Sequence, residues 1–174
     1  PDSLPSRTRE LQLRAKGFLR IAGVDEAGVG PMAGPVVAGA VILPEAFDVE
    51  GIRDSKLIPE PERARLELRI QRQALAWGIG VGTVEEINAQ GISPATDLAM
   101  RRAVDSLAVR PDFLLIDARK LDFGLPREHP TKGDRDHTCI AAASILAKQH
   151  RDRLMLELHE KLDHLLRHQW DRLI

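Results

Sequence analysis

Apolar runs alternate with polar, glycine- and proline-containing segments over the first two thirds of the chain. Four runs have the length and the aliphatic content of buried strands, namely residues 18–24, 34–43, 74–83 and 111–116. The segment between the first two, residues 27–35, is rich in glycine and proline, which favour tight turns. The pattern therefore predicts a hairpin near the start of a sheet. The glycines within the third run predict a strand with one closely packed face.

Helical spacing of apolar residues appears in three other segments. A segment that begins at Pro59 mixes leucine and isoleucine with Glu and Arg, which predicts an exposed amphipathic helix. Residues 98–107 repeat apolar positions at intervals of three and four, and Ser93 or Thr96 is the predicted N-cap of this helix. The alanine- and leucine-rich residues 137–165 predict one long helix or a pair of helices.

The order of these elements predicts an α/β fold in which a central mixed sheet is flanked by helices. A chain of 174 residues fits a single domain, 1–174. Residues 1–17 are polar and are predicted to form a loosely held lead-in, within which residues 9–16 could be the end of a helix. Residues 150–174 are predicted to form a helical C-terminal tail. Residues 121–136 contain glycines and prolines and are predicted to be a loop that could include a short hairpin.

Composition narrows the class of protein only in part. Hydrophobic residues make up 43% and charged residues 29% of the chain, as in ordinary globular proteins. The single cysteine, Cys139, cannot form an intramolecular disulfide, so a cytoplasmic location is expected. The longest apolar stretch, residues 32–43, is too short to cross a membrane. The net charge of -1 does not exclude a nucleic acid, because charge distribution matters more than the sum.

Acidic residues follow two of the predicted strands directly. Asp25 and Glu26 come after one apolar run, and Asp117 comes after another. If these strands are neighbours, three carboxylates meet at one edge of the sheet, where their repulsion requires a cation or protons. Oxygen ligands suit Mg²⁺ or Mn²⁺. The alternative is that each acid only caps the turn after its strand.

Several blocks of the chain resemble type 2 ribonuclease H, also called ribonuclease HII. They keep the order and approximate spacing that this family shows, from about residue 20 to residue 160. The blocks are Asp-Glu-Ala-Gly-Val-Gly-Pro at 25–31 with Ala-Gly-Pro-Val-Val-Ala at 33–38, Asp-Ser-Lys at 54–56, Leu-Ile-Asp at 115–117, Lys-Gly-Asp at 132–134, and Ile-Ala-Ala-Ala-Ser-Ile-Leu-Ala-Lys at 140–148 leading to Arg-Asp-Arg at 151–153.

The resemblance implies a ribonuclease H-like fold with a mixed five-stranded sheet and a helical C-terminal part. It implies an endonuclease that hydrolyses the RNA strand of RNA/DNA hybrids and cuts 5′ to ribonucleotides embedded in duplex DNA, leaving 3′-hydroxyl and 5′-phosphate ends. A monomer is expected. It also implies two Mg²⁺ or Mn²⁺ ions, one activating a water and the other stabilising the leaving 3′ oxygen. The implied ligands are Asp25, Glu26, Asp117 and Asp134. On its own, Asp134 would be interpreted as a solvated acid in a turn.

The expected substrate contacts depart from the family pattern. The family has Gly-Arg-Gly where this chain has Gly28, Val29 and Gly30, so the arginine contact to phosphate is missing. The glycine backbone could still approach a ribose 2′-hydroxyl, which distinguishes RNA from DNA, or the glycines could serve only a tight hairpin. Lys56 resembles the phosphate-binding lysine of the family, and could also be a solvated turn residue.

Two helical residues and the C-terminus complete the expectations. Ser144 and Lys148 lie four residues apart, on one helix face that could meet the duplex backbone, although Lys148 could instead pair with Asp152. The chain has no tyrosine, whereas the family stacks one on the sugar beside the cut. Trp170 could stack in its place or only pack. A protein of the same fold that binds hybrids or metal and cleaves poorly is therefore the alternative function.

Overall fold

The computed structural model describes residues 4–31 and 33–170, with side chains up to residue 163. The strands are β1 (Ile21–Ala27), β2 (Val36–Ile42), β3 (Ala76–Gly82), β4 (Phe113–Ile116) and β5 (Arg127–Glu128). The helices are α1 (Thr8–Ala15), α2 (Glu60–Gln73), α3 (Val84–Gln90), α4 (Ile92–Asp105), α5 (Gly133–Asp136) and α6 (Thr138–Trp170), and a short 3-10 helix spans Ser55–Leu57.

The strands form one mixed sheet in the order β3-β2-β1-β4-β5. The β1–β2 and β2–β3 pairs are antiparallel, whereas β1–β4 and β4–β5 are parallel. The connection from β3 to β4 runs through α3 and α4. It carries the chain past β2 and β1, so that β4 can pair in parallel with β1. The predicted mixed five-stranded sheet and the hairpin at residues 27–35 are therefore confirmed.

The sheet separates two layers of apolar side chains. Ile21 and Leu115 point to the layer that contains α6, α2 and Leu13 of α1. Val24 and Ile116 point to the opposite layer, which contains α4. This alternation is the two-residue period of a strand that is buried on both faces. None of the helices in the described part of the chain is long and apolar enough to span a membrane.

Helix α6 lies unusually close to the strand that carries the first two acids. A Cβ added at Gly23 would be 2.2 Å from the backbone carbon of Cys139, and one at Gly39 would be 2.4 Å from the carbonyl oxygen of Ala143. Residues 141–143 of the helix are alanines, which add little bulk on the helix side. Glycine in the strands and alanine in the helix therefore set the distance between α6 and the sheet. Glycines of β3 meet α4 in the same way, which confirms their predicted close-packed face.

Replacing Gly23 by alanine is expected to lower the free energy of unfolding by about 3 kcal/mol, the upper part of the range for overpacked cores. The added methyl group would meet backbone atoms of Cys139 and Ile140, which cannot rotate away. Chemical denaturation measures the change. Gly30→Ala is the control, since no described atom lies within 4 Å of a Cβ at that position. Equal stability of the two variants would contradict this account of the packing.

The loosely held lead-in predicted for residues 1–17 is wrong for residues 6–15, whereas the helical stretch considered at residues 9–16 is present as α1. Residues 8–15 form α1, in which Leu13 is 1% exposed in the core. Arg9 is held by Glu128 of β5, with Nε 2.8 Å from Oε2. The error arose because the segment packs mainly through charged residues with distant partners. Residues 1–3 lie outside the described part of the chain.

Three local predictions also need correction. The α4 helix has Gly91 as its N-cap, and neither Ser93 nor Thr96 caps it. The preceding helix α3 was missed, although Thr83 and Glu86 form a capping box with reciprocal hydrogen bonds. The hairpin considered within residues 121–136 is not found among the described residues, where β5 pairs in parallel with β4 and α5 follows. Of the two alternatives predicted for residues 137–165, one long helix or a pair of helices, the structure has one long helix, α6.

Candidate active site

Two neighbouring strands bring the first three acids to one edge of the sheet. Asp25 and Glu26 lie within β1, so the strand continues past the predicted end at Val24. Asp117 directly follows β4, and its backbone N–H donates to the carbonyl oxygen of Val24 at 3.0 Å. Asp25 and Asp117 therefore lie side by side at the ends of two parallel strands, as the neighbouring-strand interpretation requires.

Asp134 reaches the same edge from α5, a single helical turn. The backbone N–H of Gly133 donates to Oδ1 of Asp117 at 2.6 Å, which ties this turn to the end of β4. Lys132, the N-cap of the turn, has a left-handed backbone conformation with φ of 58°. Asp134 is 8% exposed. The interpretation of Asp134 as a solvated turn acid is thus wrong, because the turn is folded against β4.

Burial and mutual repulsion disfavour ionisation of all four carboxyl groups. Burial is the main cause that raises the pKa of Asp25 well above its usual value, and the negative charges of Glu26 and Asp117 add to it. Burial, followed by the charge of Asp117, raises the pKa of Glu26 to about 7. Burial also raises the pKa of Asp117 and that of Asp134. Such a cluster is stabilised by a positive charge placed among the carboxylates.

A divalent cation fits these residues. Oε2 of Glu26 is buried and has no hydrogen-bond partner among the described residues, which leaves a carboxylate oxygen free to serve as a ligand. No three His, Cys, Asp or Glu side chains in the described part are arranged to hold an ion by themselves. Mg²⁺ is usually bound by one or two carboxylates together with water and substrate phosphates, so the unpartnered carboxylate oxygen of Glu26 is a suitable ligand for it.

Two positively charged residues face the carboxylate cluster: Lys56 from the 3-10 helix and Arg119 from the loop after β4. Lys56 lowers the pKa of Glu26, Asp117 and Asp134 through its charge, and Arg119 lowers that of Glu26. Arg119 is held in place by Asp97, whose Oδ1 accepts from Nε at 2.9 Å. Sequence reasoning missed Arg119, and no local pattern marks it.

A fifth acid, Asp54, caps the 3-10 helix that carries Lys56. Asp54 is 4% exposed, and its Oδ1 accepts a hydrogen bond from the backbone N–H of Lys56 at 3.0 Å. Its charge also raises the pKa of Asp117 and Asp134. The Asp-Ser-Lys block contained the signal for Asp54, but only the lysine was given a role.

The six predicted substrate residues meet in one cleft of about 290 Å³ beside Glu26. Of the four acids, Glu26 lines the cleft, and Val29 lies at its rim with 39% of its surface accessible. The cleft is lined by Glu26, Ala27, Gly28, Val29, Gly30, Pro31, Ser55, Lys56, Ser144, Lys148 and Arg151.

The glycine-rich turn is held by Arg151, a residue that sequence reasoning did not single out. Its Nε donates to the carbonyl oxygen of Pro35 at 3.1 Å, and its Nη2 donates to that of Ala33 at 2.9 Å. Gly28 has φ of 109°, and a Cβ there would lie 2.4 Å from Nε of Arg151. Gly28 is therefore required by the fold of the turn. By contrast, Gly30 has a free surrounding space and no positive φ, so neither strain nor crowding requires glycine there.

Ser144 and Lys148 line the cleft on the α6 side, where both also have partners within the protein. Ser144 is 4% exposed, and its Oγ is 2.9 Å from Oγ of Ser55. Its hydroxyl also donates toward Asp25, which lowers the pKa of that carboxyl. Lys148 forms an ion pair with Asp152, which confirms the pairing considered from the sequence. The side chain of Trp170, which was considered for stacking, lies outside the described part of the structure.

The sequence is similar to ribonuclease HII proteins over most of its length. A sequence model of the family described as Ribonuclease HII matches residues 22–169. The ribonuclease HII of Dehalococcoides mccartyi is 49% identical over 158 residues, which cover 88% of this chain and 74% of that protein. The ribonuclease HII of Syntrophotalea carbinolica is 50% identical over 147 residues, which cover 84% and 70%. The match to the Myxococcus xanthus protein spans 53% of that longer relative.

Solved structures agree with this assignment. The ribonuclease H2 of Pyrococcus horikoshii OT3 has a TM-score of 0.71 and 27% identity, and the match covers 82% of this chain and 77% of that one. Bst-RNase HIII in complex with Mn²⁺ has a TM-score of 0.67 at 22% identity, over 84% of this chain and 56% of that one, and shows the fold alone. The chain therefore belongs to the ribonuclease HII family, whose members are endoribonucleases that act on RNA/DNA hybrids.

Proposed function

We propose that this chain is a divalent-cation-dependent endonuclease that cuts 5′ to ribonucleotides embedded in duplex DNA, as well as within the RNA strand of hybrids. The products would carry 3′-hydroxyl and 5′-phosphate ends. The observation that carries the proposal is the group of four buried or half-buried acids, of which Glu26 lines the cleft and has a buried carboxylate oxygen with no hydrogen-bond partner among the described residues. Bst-RNase HIII, a protein of the same fold, has been solved with Mn²⁺.

The acids would hold the cations in this proposal. Asp25, Glu26, Asp117 and Asp134 would repel a phosphodiester if they were ionised without counterions, so charge balance is a condition for substrate binding. Bound Mg²⁺ or Mn²⁺ would supply an activated water and stabilise the leaving 3′ oxygen. The hydroxyl of Ser144 orients the Asp25 carboxylate from the α6 side.

The rest of the cleft would bind the nucleic acid. Lys56 is exposed beside the acids and can contact a phosphate next to the cut. Arg151 holds the turn that contains Gly28, so the backbone groups of this turn are fixed before substrate arrives. The open space around Gly30 lets a ribose approach the backbone closely, which favours reading of the 2′-hydroxyl.

Cleavage of a labelled DNA duplex that contains one ribonucleotide tests the proposal. We expect one product, cut 5′ to the ribonucleotide, with Mg²⁺ or Mn²⁺ and none with EDTA, and we expect a DNA polymerase to extend its 3′ end. An all-DNA duplex is the control and should remain intact. Absence of product with both metals, together with retained binding of the duplex, would overturn the proposal and favour the alternative of a binding protein with lost cleavage.

Restoring a cation at position 29 is expected to strengthen duplex binding. Val29 is exposed at the rim of the cleft, so Val29→Arg would place a guanidinium where phosphates pass without disturbing the core. One added phosphate contact of about 1 kcal/mol corresponds to about fivefold tighter binding. It would also steepen the salt dependence of log K by about 0.9. Fluorescence anisotropy at several salt concentrations measures both.

Val29→Gln is the matched control, since it adds a polar side chain without charge. If Val29→Gln tightened binding as much as Val29→Arg, or if the salt dependence did not change, the role assigned to charge at this position would be wrong.

A further inference from the structure

The N-terminal segment contacts the connection between α5 and α6, here called the joint and defined as residues 136–138. The backbone N–H of Ser6 donates to the carbonyl oxygen of Asp136 at 3.1 Å, and the N–H of Thr138 donates to the carbonyl oxygen of Ser6 at 3.2 Å. Ser6 thus forms a parallel bridge with His137. The two hydrogen bonds hold the residues on either side of His137, namely Asp136 and Thr138.

Glu10 of α1 continues this contact into the first turn of α6. Its Oε1 accepts from the backbone N–H of Cys139 at 3.1 Å, which satisfies a group that a helix start leaves without an intrahelical partner. Glu10 is 2% exposed, and its Oε2 accepts from Arg7, with Nη2 at 2.7 Å. The capping acid is therefore buried and paired.

Arg7 links this pair to the rest of the sheet. Its Nη1 donates to the carbonyl oxygens of Pro44 at 2.7 Å and Glu45 at 2.6 Å, in the segment directly after β2. The start of α6 is thus fixed relative to the sheet through Glu10 and Arg7. The first turn of α6, which directly follows the joint, cannot shift without breaking this set of hydrogen bonds.

The position of Asp134 depends on this joint. Helix α5 has four residues, too few to be stable by internal hydrogen bonds alone. The hydrogen bond from Gly133 to Asp117 holds its first residue. The hydrogen bond from the N–H of Ser6 holds the carbonyl oxygen of its last residue, Asp136, which is also the first residue of the joint. Any motion of the joint therefore moves Asp134, two residues away, relative to the other acids.

We propose that Glu10 is a positioning residue that keeps Asp134 in place for cation binding. The proposal rests on the proposed function, in which Asp134 is a cation ligand. Outer residues that orient metal ligands typically change metal affinity or activity by about 10- to 100-fold when they are replaced. We expect Glu10→Ala to raise the Mn²⁺ concentration at half-maximal cleavage by about tenfold, with little change in KM for the duplex at saturating Mn²⁺.

Two further variants sharpen the test. Glu10→Gln keeps an oxygen for the Cys139 N–H and should recover most of the Mn²⁺ affinity. Arg7→Gln keeps Glu10 but removes the guanidinium that pairs with it. It should raise the Mn²⁺ requirement, by less than Glu10→Ala does. If Glu10→Ala does not fold, these two variants carry the test, and an unchanged Mn²⁺ requirement in Arg7→Gln would overturn the proposal.

A stability-matched control separates positioning from general destabilisation. Ile70→Val on α2 removes a methyl group from the same core layer without touching the joint. It should lower Tm and leave the Mn²⁺ requirement unchanged. Mn²⁺ binding to the protein alone, measured by electron paramagnetic resonance, provides a readout that is independent of cleavage.

The failures of the two proposals are distinguishable. If the unaltered chain neither binds Mn²⁺ nor cleaves, the proposed function is wrong. If the unaltered chain does both, and Glu10→Ala lowers Tm with an unchanged Mn²⁺ requirement, only the role of Glu10 is overturned.

Discussion

Replacement of Asp25 by asparagine is expected to slow cleavage by about 10³-fold while making the metal-free protein more stable. A bound metal contributes several kcal/mol of transition-state stabilisation, and about 4 kcal/mol corresponds to 10³-fold in rate. Asp25 is 5% exposed, and burial together with the charges of Glu26 and Asp117 raises its pKa. A neutral amide removes this repulsion, and we expect a gain of about 1 kcal/mol in the absence of metal.

Cleavage rates and thermal unfolding in EDTA and in Mn²⁺ measure the two effects of Asp25→Asn. The unaltered chain should be stabilised by Mn²⁺, and the variant much less so. Asp105→Asn is the control, because Asp105 is an exposed acid at the end of α4, outside the cluster. Loss of cleavage in Asp25→Asn with a full stabilising effect of Mn²⁺ would show that this carboxylate does not hold the metal.

The stability of the metal-free protein is expected to fall as the pH rises from about 5 to 8. Burial and the charge of Asp117 raise the pKa of Glu26 from 4.5 to about 7, so the folded state binds the proton more tightly than the unfolded state. The stability contributed by Glu26 is complete below about pH 4.5 and is lost as the pH rises through about 7. The pKa shift corresponds to at most about 3 kcal/mol.

Chemical denaturation in EDTA across this pH range tests the sign of the effect. Glu26→Gln should lose part of the decline, and Glu45→Gln, which alters an exposed glutamate, should retain all of it. Because a cation competes with the proton, stabilisation by Mn²⁺ should be larger at pH 8 than at pH 5. A decline in Glu26→Gln as steep as in the unaltered chain would contradict the assignment of this titration to Glu26.

The part of the site that follows strands could be predicted from the sequence. The apolar runs before Asp25 and Asp117 indicated strand ends, and pairing of β1 with β4 brings these acids together. Asp134 could not be predicted from pattern. It lies in a single turn that is held by distant residues, through the hydrogen bond from Gly133 to Asp117, sixteen residues earlier, and through the one from Ser6 to Asp136. Only the family resemblance indicated its role.

The supports of the site were missed because their partners are distant in sequence. Glu10 and Arg151 are charged residues in helices, and local pattern assigns such residues to solvent. Both are buried, because one caps α6 and the other binds carbonyl oxygens of the glycine-rich turn. Helix α3 is a different case, since Thr83 and Glu86 have the spacing of a capping box and could have been recognised.

The hydrogen bond between α1 and the first turn of α6 also bears on the order in which the molecule can be assembled during synthesis. Glu10 and Cys139 are separated by 129 positions, so their hydrogen bond can form only after nearly the whole sheet has left the ribosome. Contacts of this range slow folding, because a long loop must close before they form. A nascent chain that ends before residue 139 therefore contains all four acids of the cluster without the helix start that fixes Asp134. Under the role proposed for Glu10, we expect nuclease activity only after the beginning of the chain has met α6.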